Sequence, residues 1–388
     1  MSIPKQLKPR LICKSSSESF PVETYRFQGS DGGLLDIEYE AIFPKDKIVK
    51  RPPGMWRYRE ALPFPVEAEP VSFGEGFTPM PRVNVHGHGI FLKQEQLFPS
   101  GSYKDRGATL LVSHAKRIGV QHCVEDSSGN AGSAIAAYCA RAGITCDIYL
   151  PASTSPAKIA QISAYGARLR LIPGSREATA DAVMNAATSS YYASHVWNPF
   201  FFHGTKTFAY EIWEQLGFRA PDAVVLPVGN GTLLIGTAIG FEELLKAGEI
   251  EKLPKIFGVQ AELCAPLLGS EPSKTDRIEV TPSQQTIAEG IAVARPPRGQ
   301  QILEVLRRCN GRVLCVGENE IIASLRHMCR QGFFIEPTSA ATLAAIPKVF
   351  RDKAWQSEYR EPIVVSLCSG HGLKASEKVA EISQTRPV

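Results

Sequence analysis

A chain of 388 residues exceeds what one hydrophobic core usually fills, ~250–300 residues, so two domains are expected. With 44% hydrophobic and 21% charged residues the composition is that of an ordinary globular protein, and the formal charge of +4 comes from scattered Lys and Arg, which argues against a nucleic-acid or membrane-surface partner. No run approaches the roughly 18 apolar residues of a membrane span, and the start, MSIPKQLKPRLICKSSSESF, lacks the apolar core of a secretory signal, so a cytoplasmic location is expected.

Residues 1–60 are rich in Pro, Ser and charge and read as an amino-terminal arm, with one strand in GGLLDIEYEA after a Gly-Gly turn. His86 and His88 in VHGHGIF are the only closely spaced histidines; without a third ligand nearby they read as loop residues, and no metal site is expected. From about residue 89 short apolar runs alternate with segments of helical period, the pattern of open, mostly parallel α/β sheets flanked by helices. Strands are expected in GIFLKQE, HCVEDSS, CDIYLP, ARLRLIP, DAVVLPVG, KIFGVQAE, GRVLCVGE and PIVVSLCSG. Helices are expected in GATLLVSHAKRIG, AGSAIAAYCARAG and TLLIGTAIGFEELLKAG, each with a glycine just past its last apolar position, where a left-handed residue closes a helix. The stretch GSEPSKTDRIEVTPSQQ (269–285) reads as a surface excursion. Nine cysteines, an odd number without a Cys-x-x-Cys pair, read as reduced thiols, neither disulfides nor metal ligands.

Ligands of open α/β sheets bind beyond the carboxyl ends of the strands, and four loops there are unusual. In PSGSYKDRGA, Lys104 stands between Gly101 and Gly107, which let the backbone approach something closely. An amine kept against an apolar body is available to attack a carbonyl; a charged first helical turn, with Asp105 at the helix start, is the alternative. In EDSSGNAGSA, Ser127, Ser128 and Gly129 offer hydroxyls and free amides to a carboxylate, and Asn130 can donate to a ring oxygen, although an ordinary N-cap would read the same way. In DAVVLPVGNGTLLIG, a buried strand runs through Gly229, Asn230, Gly231, Thr232 and Leu233 into a helix, where several amides converge on a phosphate. It has neither the Gly-Lys-Ser/Thr of a Walker loop nor the third glycine of a dinucleotide fold at the right place. In PIVVSLCSGHGLK, Ser369 puts a hydroxyl at the end of an apolar strand, as a cap or as a partner for a pyridine-type nitrogen.

A reactive lysine, a phosphate cradle, an asparagine beside a carboxylate loop and a strand-end hydroxyl are together the parts that hold pyridoxal phosphate and an amino-acid substrate. The segments MWRYREALP, VSFGEGFTPM, SGSYKDRG, SSGNAGSA, NPFFFHGTKTFAYEI, LPVGNGT, EPTSAA and SGHGLK, in that order, resemble the tryptophan-synthase-β class of pyridoxal-phosphate enzymes, and within it the threonine synthase family. That resemblance implies that Lys104 is the Schiff-base lysine and Asn130 the contact to the ring's phenolic oxygen. It places the cofactor phosphate on Gly229–Leu233 and the pyridine nitrogen beside Ser369. It also places the substrate carboxylate on Ser127, Ser128 and Gly129, with Ala131 next to Asn130. It implies a large domain of residues 61–89 and 206–388, a small mobile domain of 90–205, and a homodimer.

The sequence departs from the family in two places. Where a threonine synthase needs basic groups for the phosphate of O-phosphohomoserine, this chain reads SHVWNPFFFHG, with Phe200, Phe201 and Phe202 where an arginine is expected, and Ala131 after the asparagine. A phosphate held against phenylalanines without a cationic partner is costly; His195, His203 and Lys206 are the nearby candidates to supply charge. Second, the arm keeps only Cys13 of the four-cysteine ribbon many relatives carry, so no zinc is expected there. The expectation is a lyase of amino-acid biosynthesis acting by elimination and water addition on O-phosphohomoserine. The alternative is β-elimination or β-replacement on an unphosphorylated amino acid, as in serine/threonine dehydratases, diaminopropionate ammonia-lyases or cysteate synthases. Remote alternatives are a non-catalytic cofactor-binding protein or an NAD-dependent dehydrogenase.

Overall fold

The computed structural model describes residues 8–384 except 155, 175, 269–283, 353–354 and 356–360. The expected surface excursion therefore lies outside the described residues but for Gln284 and Gln285. The strands are β1 (Arg10–Cys13), β2 (Ser19–Pro21), β3 (Leu35–Glu38), β4 (Arg82–Val85), β5 (His88–Lys93), β6 (His122–Glu125), β7 (Thr145–Pro151), β8 (Arg168–Ile172), β9 (Tyr191–Tyr192), β10 (Ala223–Pro227), β11 (Lys255–Ala261), β12 (Arg312–Val316) and β13 (Val364–Leu367). The helices that carry the argument are α1 (Lys104–Arg117), α2 (Asn130–Ala142), α3 (Pro199–Thr205), α4 (Thr207–Gln215), α5 (Thr232–Lys246) and α6 (Pro337–Ala344). None of the described helices is long and apolar enough to cross a membrane. Gly119, Gly143 and Gly248 take φ of +83°, +74° and +72°, the left-handed closure their positions in the sequence suggest.

The chain forms two compact units: one from the residues up to Gly76 with Lys104–Thr207, the other from Phe77–Tyr103 with the residues from Phe208 onward. The first holds an antiparallel sheet ordered β2-β1-β3 and a parallel sheet ordered β8-β7-β6-β9. Its core joins Leu110 and Leu111 of α1, Ile135 and Tyr138 of α2 and Ile148 of β7 with Leu11, Leu35 and Ile37. The amino-terminal segment is thus packed into this core, because the alternating apolar residues of β1 and β3 need a partner face.

His114, on α1, stacks on Phe200 with ring centroids 3.7 Å apart, and burial lowers its pKa to about 3. Since the unfolded imidazole binds its proton near pH 6.5 and the folded one does not, the unfolded chain takes up the extra proton. Stability is therefore expected to fall as pH drops from about 6.5 toward 3, by up to ~1.4 kcal/mol per pH unit for this residue. Urea titrations at stepped pH measure it; His114→Phe flattens the slope, and an unchanged slope in that variant refutes the assignment.

The second unit is built on one six-stranded sheet, ordered β12-β11-β10-β13-β5-β4, parallel except for the antiparallel β4–β5 edge. All five residues of β10 are buried, as the continuous apolar run requires of a strand covered on both faces. Because β10 and β13 are parallel neighbours, the loops that follow them open at the same edge of the sheet. Beneath this surface lies a charge that the apolar pattern of β5 conceals. Lys93 Nζ sits 2.8 Å from Glu211 Oε2 on α4, with both side chains fully buried, and donates to Thr78 O at 3.0 Å and Gln215 Oε1 at 2.9 Å. His86 and His88 stack on His327 and Phe350, with centroids 4.5 and 4.3 Å apart.

Candidate active site

The chain returns to the first unit at Lys104, the first residue of α1. The helix thus starts three residues before the apolar period does, on Lys104, Asp105 and Arg106. Asp105 and Arg106 are nevertheless fully buried, and Arg106 Nη1 donates to Thr207 Oγ1 at 2.9 Å. Gly107 serves a close approach, but the approaching group is protein: a β-carbon at 107 would fall into the ring of Phe201. Gly204 answers from α3, where a β-carbon would fall on the Arg106 carbonyl oxygen. The two glycines let α1 and α3 touch along their backbones, and this contact sets Phe201 against Lys104, whose Nζ lies 5.6 Å from the ring centroid.

Beside this lysine lies a group that sequence reasoning passed over. Glu125 ends β6, is fully buried, and has Oε1 in hydrogen-bond contact with His195 Nδ1 at 2.8 Å, while among the described residues its Oε2 has no hydrogen-bond partner. Burial pushes its carboxyl well above the usual carboxylate range, the neighbouring Asp126 adds to the shift, and positive charge on Lys104 opposes it. A glutamate at the end of a strand pattern gives no sign of this in sequence; only the pairing with His195, seventy residues on, reveals it. The other two cationic candidates are also committed. His203 Nε2 is 3.6 Å from Asp36 Oδ1, and Lys206 Nζ lies 4.6 Å from the centroid of the Tyr39 ring.

The loop after β6 carries Ser127, Ser128 and Gly129 into α2, which starts at Asn130, with Ala131 buried behind it. Gly132 makes the turn possible: a β-carbon there would collide with the Ser127 carbonyl oxygen. The Ser127 hydroxyl accepts from Gly129 N at 3.3 Å, and the Gly129 carbonyl accepts from Ser133 N at 3.1 Å. Ser127–Ala131 thus form one tight strand-to-helix turn. At the foot of α3, Asn198 caps the helix by accepting from Phe200 N at 3.1 Å, and Phe200, Phe201 and Phe202 are all buried.

In the second unit, β10 passes through Gly229, Asn230 and Gly231 into α5 at Thr232 and Leu233. Gly231 caps α5 with φ +77°, which only glycine adopts cheaply. Gly229 faces the backbone: a β-carbon would sit 3.1 Å from Gly290 O and from Ile291 Cα. The result is a cradle of amides at the positive end of a helix, which fits a phosphate. Ser369, after β13, does not stand alone. Its hydroxyl donates to Glu336 Oε1 at 2.9 Å and lies 3.0 Å from Ser339 Oγ, which in turn accepts from Ser369 N at 2.8 Å. Glu336 and Ser339 belong to the EPTSAA stretch that opens α6, and Gly370 lacks a β-carbon where one would meet the Glu336 carboxylate. Tyr103 N donates to Ser369 O at 3.1 Å, tying the residue just before Lys104 to this strand end.

The sequence pattern of the pyridoxal-phosphate dependent enzymes matches residues 71–370, from before the lysine loop to just past Ser369. The chain belongs to that family. The threonine synthase of Methanocaldococcus jannaschii is 32% identical to this enzyme over 385 residues, 96% of this chain and 94% of that protein. That of Mycobacterium tuberculosis is 36% identical over 325 residues, 82% of this chain and 87% of that protein. Among solved structures, maize serine racemase superposes with a TM-score of 0.64 over 80% of this chain and 94% of that one at 21% identity, a likeness of fold. Serine racemase from Dictyostelium discoideum gives 0.62 over 76% and 92% at 25% identity. This is therefore a pyridoxal-phosphate-dependent, threonine-synthase-like lyase. The nicotinamide-dehydrogenase alternative falls with the family match.

Proposed function

We propose that this enzyme converts O-phosphohomoserine to threonine by elimination of phosphate and addition of water, with Lys104 as its central residue. The observation that carries the reading is the Lys104 amine lying against Phe201 at the mouth of α1, next to the buried Glu125. Bound pyridoxal phosphate supplies an electron sink for the substrate's α-carbon. In this proposal the Lys104 amine holds the cofactor aldehyde and then moves the α-proton as a general base. The amides of Gly229–Leu233 grip the cofactor phosphate, and Asn130 donates to the ring oxygen. Ser369, braced by Glu336 and Ser339, meets the ring nitrogen. Ser127, Ser128 and Gly129, backed by Ala131, orient the substrate carboxylate. The lysine and carboxylate loops would belong to a mobile part, roughly residues 90–205, working with the larger remainder. A cytoplasmic homodimer without nucleic acid completes the proposal, and sedimentation velocity tests the oligomer.

One observation favours a second reading, elimination or replacement on an unphosphorylated amino acid. Phe200, Phe201 and Phe202 are buried, and His195, His203 and Lys206 already face protein partners. Incubating the purified enzyme with O-phosphohomoserine and measuring released phosphate separates the two. Stoichiometric phosphate and threonine are expected. Absence of both, with ammonia or oxo-acid formed from serine, threonine or diaminopropionate, overturns the phosphorylated substrate.

A further inference from the structure

Three cysteines that the sequence presents as unrelated meet in the first unit. Cys123 and Cys146 are direct partners in the parallel β6–β7 pair, so their side chains stand side by side on one face of the sheet. There α2 lays Cys139 against them, with its Sγ 3.4 Å from Cys123 Sγ, and all three sulfurs lie within 4.8 Å of one another. All three residues are buried, and all are free thiols.

Burial alone would seal such a cluster, but a surface cavity of about 250 Å³ is lined by Cys139 and Cys146, with Ala136, Gly143 and Gly166 around them. None of the residues assigned to the cofactor or substrate lines it. Among the described residues no fourth His, Cys, Asp or Glu joins the group. The Asp147 carboxylate, next in sequence to Cys146, is held by Arg168 at 2.6 Å and by Arg170 at 2.8 Å.

Charge then decides what fits. Three thiolates around a monovalent ion leave two negative charges in an apolar core. A divalent ion leaves one, and zinc also asks for a fourth ligand. Either residual charge is costly to bury. A trivalent centre with three thiolates is neutral, and its pyramidal geometry draws the sulfurs closer together than a planar trigonal ion does. We propose that Cys123, Cys139 and Cys146 form a binding site for trivalent arsenic, entering as uncharged arsenous acid through the cavity over Cys139 and Cys146. Three As–O bonds break and three As–S bonds form; each thiol proton leaves with a hydroxyl as water, and arsenic stays trivalent throughout.

The test adds arsenite to the reduced holoenzyme, removes the excess by desalting, and measures arsenic per chain and thiols titratable in denaturant. One arsenic per chain, loss of three of the nine thiols, and a raised Tm are expected. Cys139→Ser and Cys146→Ser lose the bound arsenic, whereas Cys309→Ser in the second unit keeps it. X-ray absorption at the arsenic edge keeps the idea testable should the variants fold poorly, because it reads the ligands of the parent protein directly. Three sulfur neighbours support the site; fewer than three, no arsenic retained by the parent, or full retention in Cys139→Ser overturns it.

Discussion

Lys104→Ala is expected to lower kcat by about 10²–10⁴-fold, the range seen when a positioned proton-transfer group is removed. The reason lies in how few groups can do its work. In the proposed reaction the amine must add to an aldehyde and also carry a proton, and α1 begins on this residue with Phe201 close to its Nζ. Asp105 and Arg106, its neighbours on the helix, are buried in structural contacts and cannot take over. Borohydride reduction followed by peptide mapping gives a readout independent of turnover: the cofactor's mass is fixed at Lys104 in the parent and nowhere in the variant. Cofactor found on another lysine would refute the assignment. A small primary amine added to the alanine variant is expected to restore part of the rate.

The second large effect concerns stability. Lys93→Met is expected to cost about 3–5 kcal/mol, because it leaves Glu211 charged and buried without its counter-ion. The Thr78 carbonyl and the Gln215 side chain would each lose a donor as well. Lys93→Met combined with Glu211→Leu removes both charges and is expected to recover most of the loss, since a well-packed apolar pair often replaces a buried ion pair at little cost. Guanidinium unfolding of the parent and the two variants decides the matter. A double variant no more stable than Lys93→Met alone would show that the hydrogen bonds to Thr78 and Gln215, not the charge pair, hold this part of the sheet.

Reading the chain alone found β5–β8 and β10–β13, because each is a short apolar run and most end on Gly, Ser or Pro. It missed β1, β2, β4 and β9, which are two to four residues long. The start of α1 was hidden because Lys104, Asp105 and Arg106 look like a solvated turn, and only the packing against α3 shows that the last two are interior. Lys93 and Glu211 were invisible for the same reason: a charge is taken for surface until its partner is seen. The loops carrying Lys104, Ser127–Ala131, Gly229–Leu233 and Ser369 stood out because each joins a buried strand to a helix through small residues. Glu125, Glu336 and Ser339 did not, since each becomes notable only through a contact made across the fold. The three thiols come from two strands and a helix, and no spacing along the chain announces their meeting.

The pairing of Gly107 with Phe201 has a consequence for descent. A lineage with a much smaller side chain where Phe201 stands would leave empty space above position 107 and remove the crowding that requires glycine there. One that put alanine at 107 first would have to surrender the ring. The two positions therefore constrain one another through the contact of α1 with α3.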